Sequence, residues 1–136
     1  MRGRVIGVVL GGLMLAASGN VFAHHAFSAE FDASKPIVLK GKVVKTEWVN
    51  PHSWVHIEVK SADGKLATWA IECGAPNALL RRGWNKNSLP IGADIVVDGY
   101  QAKDGSTTAN AKDITTADGQ KMFVGSSGTG APYEKK

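Results

Sequence analysis

Residues 53–73 read SWVHIEVKSADGKLATWAIEC, and this stretch decides the fold. From Ser53 to Lys60, apolar and polar residues alternate. Val55, Ile57 and Val59 fall on one face; Trp54, His56, Glu58 and Lys60 fall on the other. A period of two is the signature of a strand with one buried face. Asp63-Gly64 then supplies the residue pair that a tight hairpin favours, because its central positions take positive φ. Leu66–Cys73 resumes the extended pattern, with Trp69 and Ile71 on one side. Two amphipathic strands joined by such a turn predict an antiparallel hairpin with Val55, Ile57 and Val59 in a core.

Upstream of the hairpin, residues 37–48 are rich in β-branched side chains and are broken only by Gly41. A glycine inside a strand marks a bulge or sharp bend, which a small barrel needs. Asn50-Pro51 ends this strand. Downstream, Gly74-Ala75-Pro76 opens a short helix over 76–82, with Pro76 suited to its first position and Gly83 to its stop. Residues 93–102 and 109–116 read as two further strands separated by Asp104-Gly105. After Asp118-Gly119, Met122-Phe123-Val124 suggests a short sixth. Three meandering strands, a helix, then two or three strands is the layout of an OB-type barrel; a small β-sandwich is the alternative. The expected fold is all-β with one short helix, an OB-like five- to six-stranded barrel over 37–124. An irregular arm (24–36) precedes it and a flexible tail (125–136) follows. Val43, Val55, Ile57, Val59, Ile95, Val97 and Ile114 are its expected core.

The first 23 residues read as a leader. Met1-Arg2-Gly3-Arg4 is a basic start and Val5–Ala17 an apolar run. A polar Ser18-Gly19-Asn20 follows, and Val21 and Ala23 stand at the −3 and −1 positions of a cut after Ala23. This is the order of a secretory signal peptide, and the run is shorter than the roughly 20 residues of a membrane span. Cleavage removes Arg2 and Arg4, so the net charge of +4 falls to about +2. No Lys/Arg run exceeds two residues, which argues against a nucleic-acid partner. No cysteine follows the apolar run, so no lipid anchor is expected. Cys73, the single cysteine, has no internal partner and reads as a small buried hydrophobe. The expectation is a soluble periplasmic or secreted protein with no membrane anchor after cleavage.

Cleavage after Ala23 also exposes a chelate. The chain then begins His24-His25, with an α-amine and an imidazole on one residue. Amine and imidazole nitrogens suit Cu(II), which tops the divalent affinity order. The other two histidines, His52 and His56, flank Trp54. They lie roughly 13 Å apart along an ideal strand at ~3.3 Å per residue, too far to share an ion unless the chain bends after Pro51. His24, His25, His52 and His56 are therefore the candidate metal ligands, with copper the candidate cofactor. A second possibility uses the faces of the second and third strands, the usual OB binding surface. There Trp54, Glu58 and Trp69 are the candidate ligand-binding residues for a small molecule or protein partner. Glu47, Glu58 and Glu72 sit on three strands and can form an acid cluster. Arg81-Arg82 can receive an anion or point to solvent. No Ser-His-Asp arrangement, GxSxG, phosphate loop or HExxH is present, so no catalytic residue is assigned.

Five segments carry a resemblance: HHAFSAEFD (24–32), KPIVLKGKVVKTEWVNPHSWVHIEV (35–59), WAIECGAPNALLRRGW (69–84), GYQAKDGSTTANAKDI (99–114) and SSGTGAP (126–132). Together they resemble a family of exported bacterial small β-barrel proteins of unknown function. The likeness covers essentially all of the chain after the leader. It implies an exported small β-barrel and brings no activity, substrate or catalytic residue with it. Cys73 stands where the resemblance implies glycine, which argues against a thiol chemistry common to the family.

Overall fold

The computed structural model describes residues 26–134; residues 1–23, expected as a leader, His24, His25 and Lys135–Lys136 lie outside the described residues. Helix α1 (Phe27–Glu30) leads into strand β1 (Phe31–Glu47). Then come β2 (Trp54–Lys60), β3 (Leu66–Glu72), α2 (Pro76–Arg81), β4 (Asp94–Ala102), β5 (Thr108–Thr116) and β6 (Lys121–Phe123). β1 pairs antiparallel with both β2 and β4, β2 with β3, and β4 with β5. A parallel pairing of Ala70–Glu72 with Thr108–Asn110 joins β3 to β5 and closes the ring. β6 adds to the free side of β5. The ring order β1-β2-β3-β5-β4, with α2 between β3 and β4, is that of an OB-like barrel.

One long strand serves two neighbours because it bends at Gly41. Gly41 pairs with Val59 of β2 and Ile95 of β4. A Cβ there would stand 2.8 Å from the Glu58 carbonyl oxygen, so only glycine permits the approach. A register shift between Val43 and Lys45 adds a second bend. Inside, Val43, Ile57, Ile71, Val97 and Ile114 are fully buried, joined by Val55 and Ile95. Val59 is half-buried and packs against this core rather than within it. Pro76 starts α2, and Gly83, at φ +90°, ends it. Trp84 is thereby turned into the core beside Leu79 and Leu89.

Three boundaries differ from the sequence expectation. β1 begins at Phe31 rather than near residue 37. Phe31 pairs with Ala102, and the Asp32 carboxylate accepts from the Ser34 N–H and hydroxyl, which absorbs the irregular residues before Pro36. The arm also holds a second short helix, α1. Residues 125–134, expected as a flexible tail, instead lie against the barrel, with Gly125, Ser126, Thr129 and Ala131 buried. Among the described residues, no helix is long and apolar enough to cross a membrane.

Candidate functional site

The strand registers place four side chains in one lateral row. Trp54 on β2 faces Glu72 on β3, Glu72 faces Asn110 on β5, and Asn110 faces Tyr100 on β4. Directly paired residues share a sheet face. Alternation sends Val55 and Ile71 inward, so the row lies on the outside of the barrel. An outer row of polar groups is ordinarily wet. Here the returning C-terminal segment covers it, and His52, Glu72, Asn110 and Ser126 are all at most 5% exposed.

Buried polar groups must be paired, and these are. The Ser126 N–H donates to the Tyr133 hydroxyl oxygen (3.2 Å), the Tyr133 O–H donates to Asn110 Oδ1 (2.7 Å), and Asn110 Nδ2 donates to Glu72 Oε1 (3.1 Å). His52 reaches this cluster from the turn before β2, which contains the cis Asn50–Pro51 peptide. Its Nδ1 lies 3.2 Å from Ser126 Oγ and 3.9 Å from Glu72 Oε1. Ser126 Oγ also lies 3.4 Å from the Cys73 carbonyl oxygen. Burial pushes the Tyr133 hydroxyl up to about 12, with Glu134 and Glu72 adding to the rise, so at neutral pH it is a donor. Burial, then the neighbouring Glu72, raises the Cys73 thiol well above its usual range. An unionised, buried thiol is unreactive.

Both ends of the described chain meet over this row. The Phe27 N–H donates to the Thr129 carbonyl at 2.8 Å. The Phe27 ring stands edge-on to Tyr100 at 5.4 Å, and Tyr133 tilts against Tyr100 at 6.4 Å. Lys103, in the β4–β5 turn, holds the arm through the Glu30 carbonyl and, by its ammonium, the Ser28 carbonyl. Arg82 pins the C-terminal segment. It donates to the Gly125 carbonyl (2.7 Å) and Ser127 Oγ (3.1 Å), and its guanidinium lies 4.7 Å from the Phe123 ring centroid. Arg82 is thus directed at the C-terminal segment.

Glu134 folds the segment back on itself. Its carboxylate accepts from the N–H groups of Gly128, Thr129 and Gly130 and from the Thr129 hydroxyl. Burial alone would raise this carboxyl, but the hydrogen bonds from Thr129, Gly130 and Gly128 outweigh it and hold it below its ordinary 4.5. A carboxyl depressed in the folded state stabilises above its unfolded value and loses that contribution as pH falls through the folded value. Amide exchange at Gly128–Gly130 is therefore expected to accelerate, relative to β-strand amides, as pH drops below 4.5. Glu134→Gln should show the faster exchange already at neutral pH. Equal relative protection at pH 7 and pH 3 would contradict this.

The structure distributes the sequence-picked residues unevenly. His52 sits in the buried cluster. His56 instead bonds Glu47 Oε2 through Nε2 at 2.7 Å on the outside of the β1–β2 hairpin. Lys45, then His56, hold that Glu47 carboxyl below its usual range. β2 starts at Trp54, so His52 leaves the strand face that carries His56, and the structure does not bring the two together. Trp54 and Glu58 share the outer face. Trp54 is half-buried above a cavity of about 20 Å³, the size of a single water. Glu58 borders an open groove of about 460 Å³ with Lys42, Lys60 and Asp94. Trp69 pairs with Ile57 and packs against the core, so it shares no face with Trp54. Glu47, Glu58 and Glu72 form no acid cluster: Glu47 bonds His56, Glu72 bonds Asn110, and Glu58 lies opposite Lys42 in the β1–β2 register. Among the described residues, no group of three or more His, Cys, Asp or Glu side chains has the arrangement of a metal site. His24 and His25 lie outside the described residues.

Asn110, Ser126 and Tyr133 were missed by sequence reading. For Ser126 and Tyr133 the signal was the segment SSGTGAPYE (126–134), whose glycines and lone aromatic suit a tight return onto the barrel. Searches of curated proteins and of solved structures find no match to this chain. Residues 12–111 match DUF6152, a family of unknown function, and the chain belongs to that family.

Proposed function

We propose that this chain is an exported, soluble module that binds a transition metal, Cu(II) foremost. The ligands are the α-amine and imidazole of His24 at the processed N-terminus, with His25 beside it, and His52. One observation carries the reading: Phe27 is hydrogen-bonded to Thr129, in the segment whose Ser126 touches His52. Thr129 lies three positions from Ser126, and Phe27 three positions from His24. At about 3.4 Å per residue each span reaches roughly 10 Å at most. That short tether from Phe27 to the segment that touches His52 is what supports the reading.

The test is Cu(II) titration of the chain that begins at His24, compared with its His52→Ala and His56→Ala variants. His52→Ala is expected to weaken binding at least tenfold. His56→Ala, which removes only the Glu47 partner, is expected to leave it unchanged. Equal affinity in all three proteins would remove His52 from the site and the proposal with it.

A further inference from the structure

We propose that the barrel binds one water molecule in its interior, held between the Ser53 hydroxyl and the Trp84 indole N–H. The site is separate from the metal reading and stands or falls without it.

The two residues come from distant parts of the chain. Ser53 lies in the turn before β2 and Trp84 in the loop after α2. Both are buried, at 3% and 2% exposure. Their main chains are already engaged. The Ser53 N–H donates to the Gly74 carbonyl (3.0 Å), and the Ser53 carbonyl accepts from the Cys73 N–H (2.8 Å). The Trp84 N–H donates to the Leu79 carbonyl (2.9 Å), just after Gly83 turns the chain at φ +90°. The side-chain polar atoms are not so engaged. Ser53 Oγ and Trp84 Nε1 are buried with no hydrogen-bond partner among the described residues, so they do not bond each other either. An indole N–H can only donate, whereas a hydroxyl donates and accepts. A buried polar group left unmet costs more than a typical hydrogen bond contributes.

Ser53 and Trp84 line one cavity of about 20 Å³. That volume suits a single water, and a water settles only where polar groups meet it. Leu79, Leu89 and Val124 in the lining offer none; Ser53 and Trp84 offer two. A water there accepts from Trp84 Nε1–H and shares a proton with Ser53 Oγ. Cys73 lines the same space. Its thiol donates weakly to the Ile71 carbonyl at 3.9 Å, which leaves the sulfur as a weak acceptor for the water's other proton. Two strong partners and one weak one fall within the two to four that a buried water makes. The water thereby ties the loop after α2 to the turn before β2 across otherwise apolar packing.

The test begins with a crystal structure of the chain starting at His24, at a resolution that shows ordered waters. One water is expected within about 2.7–3.2 Å of both Ser53 Oγ and Trp84 Nε1. In solution, the Trp84 Nε1–H should give a cross-peak to water of opposite sign in NOESY and ROESY spectra, the mark of a long-held molecule. Urea unfolding of Ser53→Ala supplies a second readout whose sign is diagnostic. If the hydroxyl holds a water, its loss raises the unfolding equilibrium constant about 5–30-fold. If the hydroxyl is merely buried and unmet, its loss stabilises the protein. In a Trp84→Phe background, which removes the other partner, the effect of Ser53→Ala should shrink; should that background not fold, the wild-type structure and spectra decide. A wild-type structure in which either atom bonds the protein directly, or a Ser53→Ala protein at least as stable as wild type, overturns the proposal.

Discussion

Ile57→Ala is expected to cost about 2–5 kcal/mol of stability, the range for emptying a fully buried branched position. Ile57 has no exposed surface, and its strand neighbours are Val43 on β1 and Trp69 on β3. Both flanking strands are hydrogen-bonded to β2, and each has a further partner on its other side. The walls cannot close on the space left by the lost atoms, so the cavity term adds in full to the transfer term. Urea unfolding should show a lower midpoint with an unchanged slope, since the surface exposed on unfolding is nearly the same. A loss below about 1 kcal/mol would mean that the inward face of β2 does not form the core.

Gly99→Ala is expected to cost about 3 kcal/mol, the upper end of the range for overpacking. Gly99 lies at the register shift between β4 and β5. A methyl group there would run into the Asn110 carbonyl oxygen, with the Asn110 carbonyl carbon at 3.0 Å and Ala111 Cα at 3.1 Å. All three atoms are backbone, and no side-chain rotation relieves the contact. The strain falls on Asn110, whose side-chain N–H donates a hydrogen bond to Glu72. Loss of stability should thus be accompanied by a shift of the Asn110 side-chain amide resonances. A variant as stable as the wild type, with those resonances unmoved, would contradict the close β4–β5 approach.

The barrel was legible because its rules are local. Val55, Ile57 and Val59 alternate, Asp63-Gly64 turns the chain, and Pro76 and Gly83 bracket a helix. The start of β1 was not, because Asp32–Pro36 has the composition of a loop, and only its pairing with β4 makes it strand. The site was half legible. Sequence pattern singled out His52, and it gave Glu72 only as a member of an acid cluster that does not form. On a period of two, Glu72 points outward with Trp54. Nothing in β3 says that Tyr133 and Ser126, more than fifty residues downstream, will return to cover that face. Register made the same difference to the tryptophans: both lie on the expected strands, yet Trp69 pairs with inward Ile57 while Trp54 pairs with Glu72.

The proposed site, on an N-terminus that begins at His24, has one direct test, a pair of proteins that differ by a single residue. One begins at His24 and the other carries one alanine before it, which turns the α-amine of His24 into an amide and leaves all side chains in place. Cu(II) titration of the two should give at least a tenfold weaker affinity for the extended form, together with loss of the amine nitrogen from the electron paramagnetic resonance spectrum of the bound ion. Equal affinity and identical spectra in the two forms would contradict a metal site at His24.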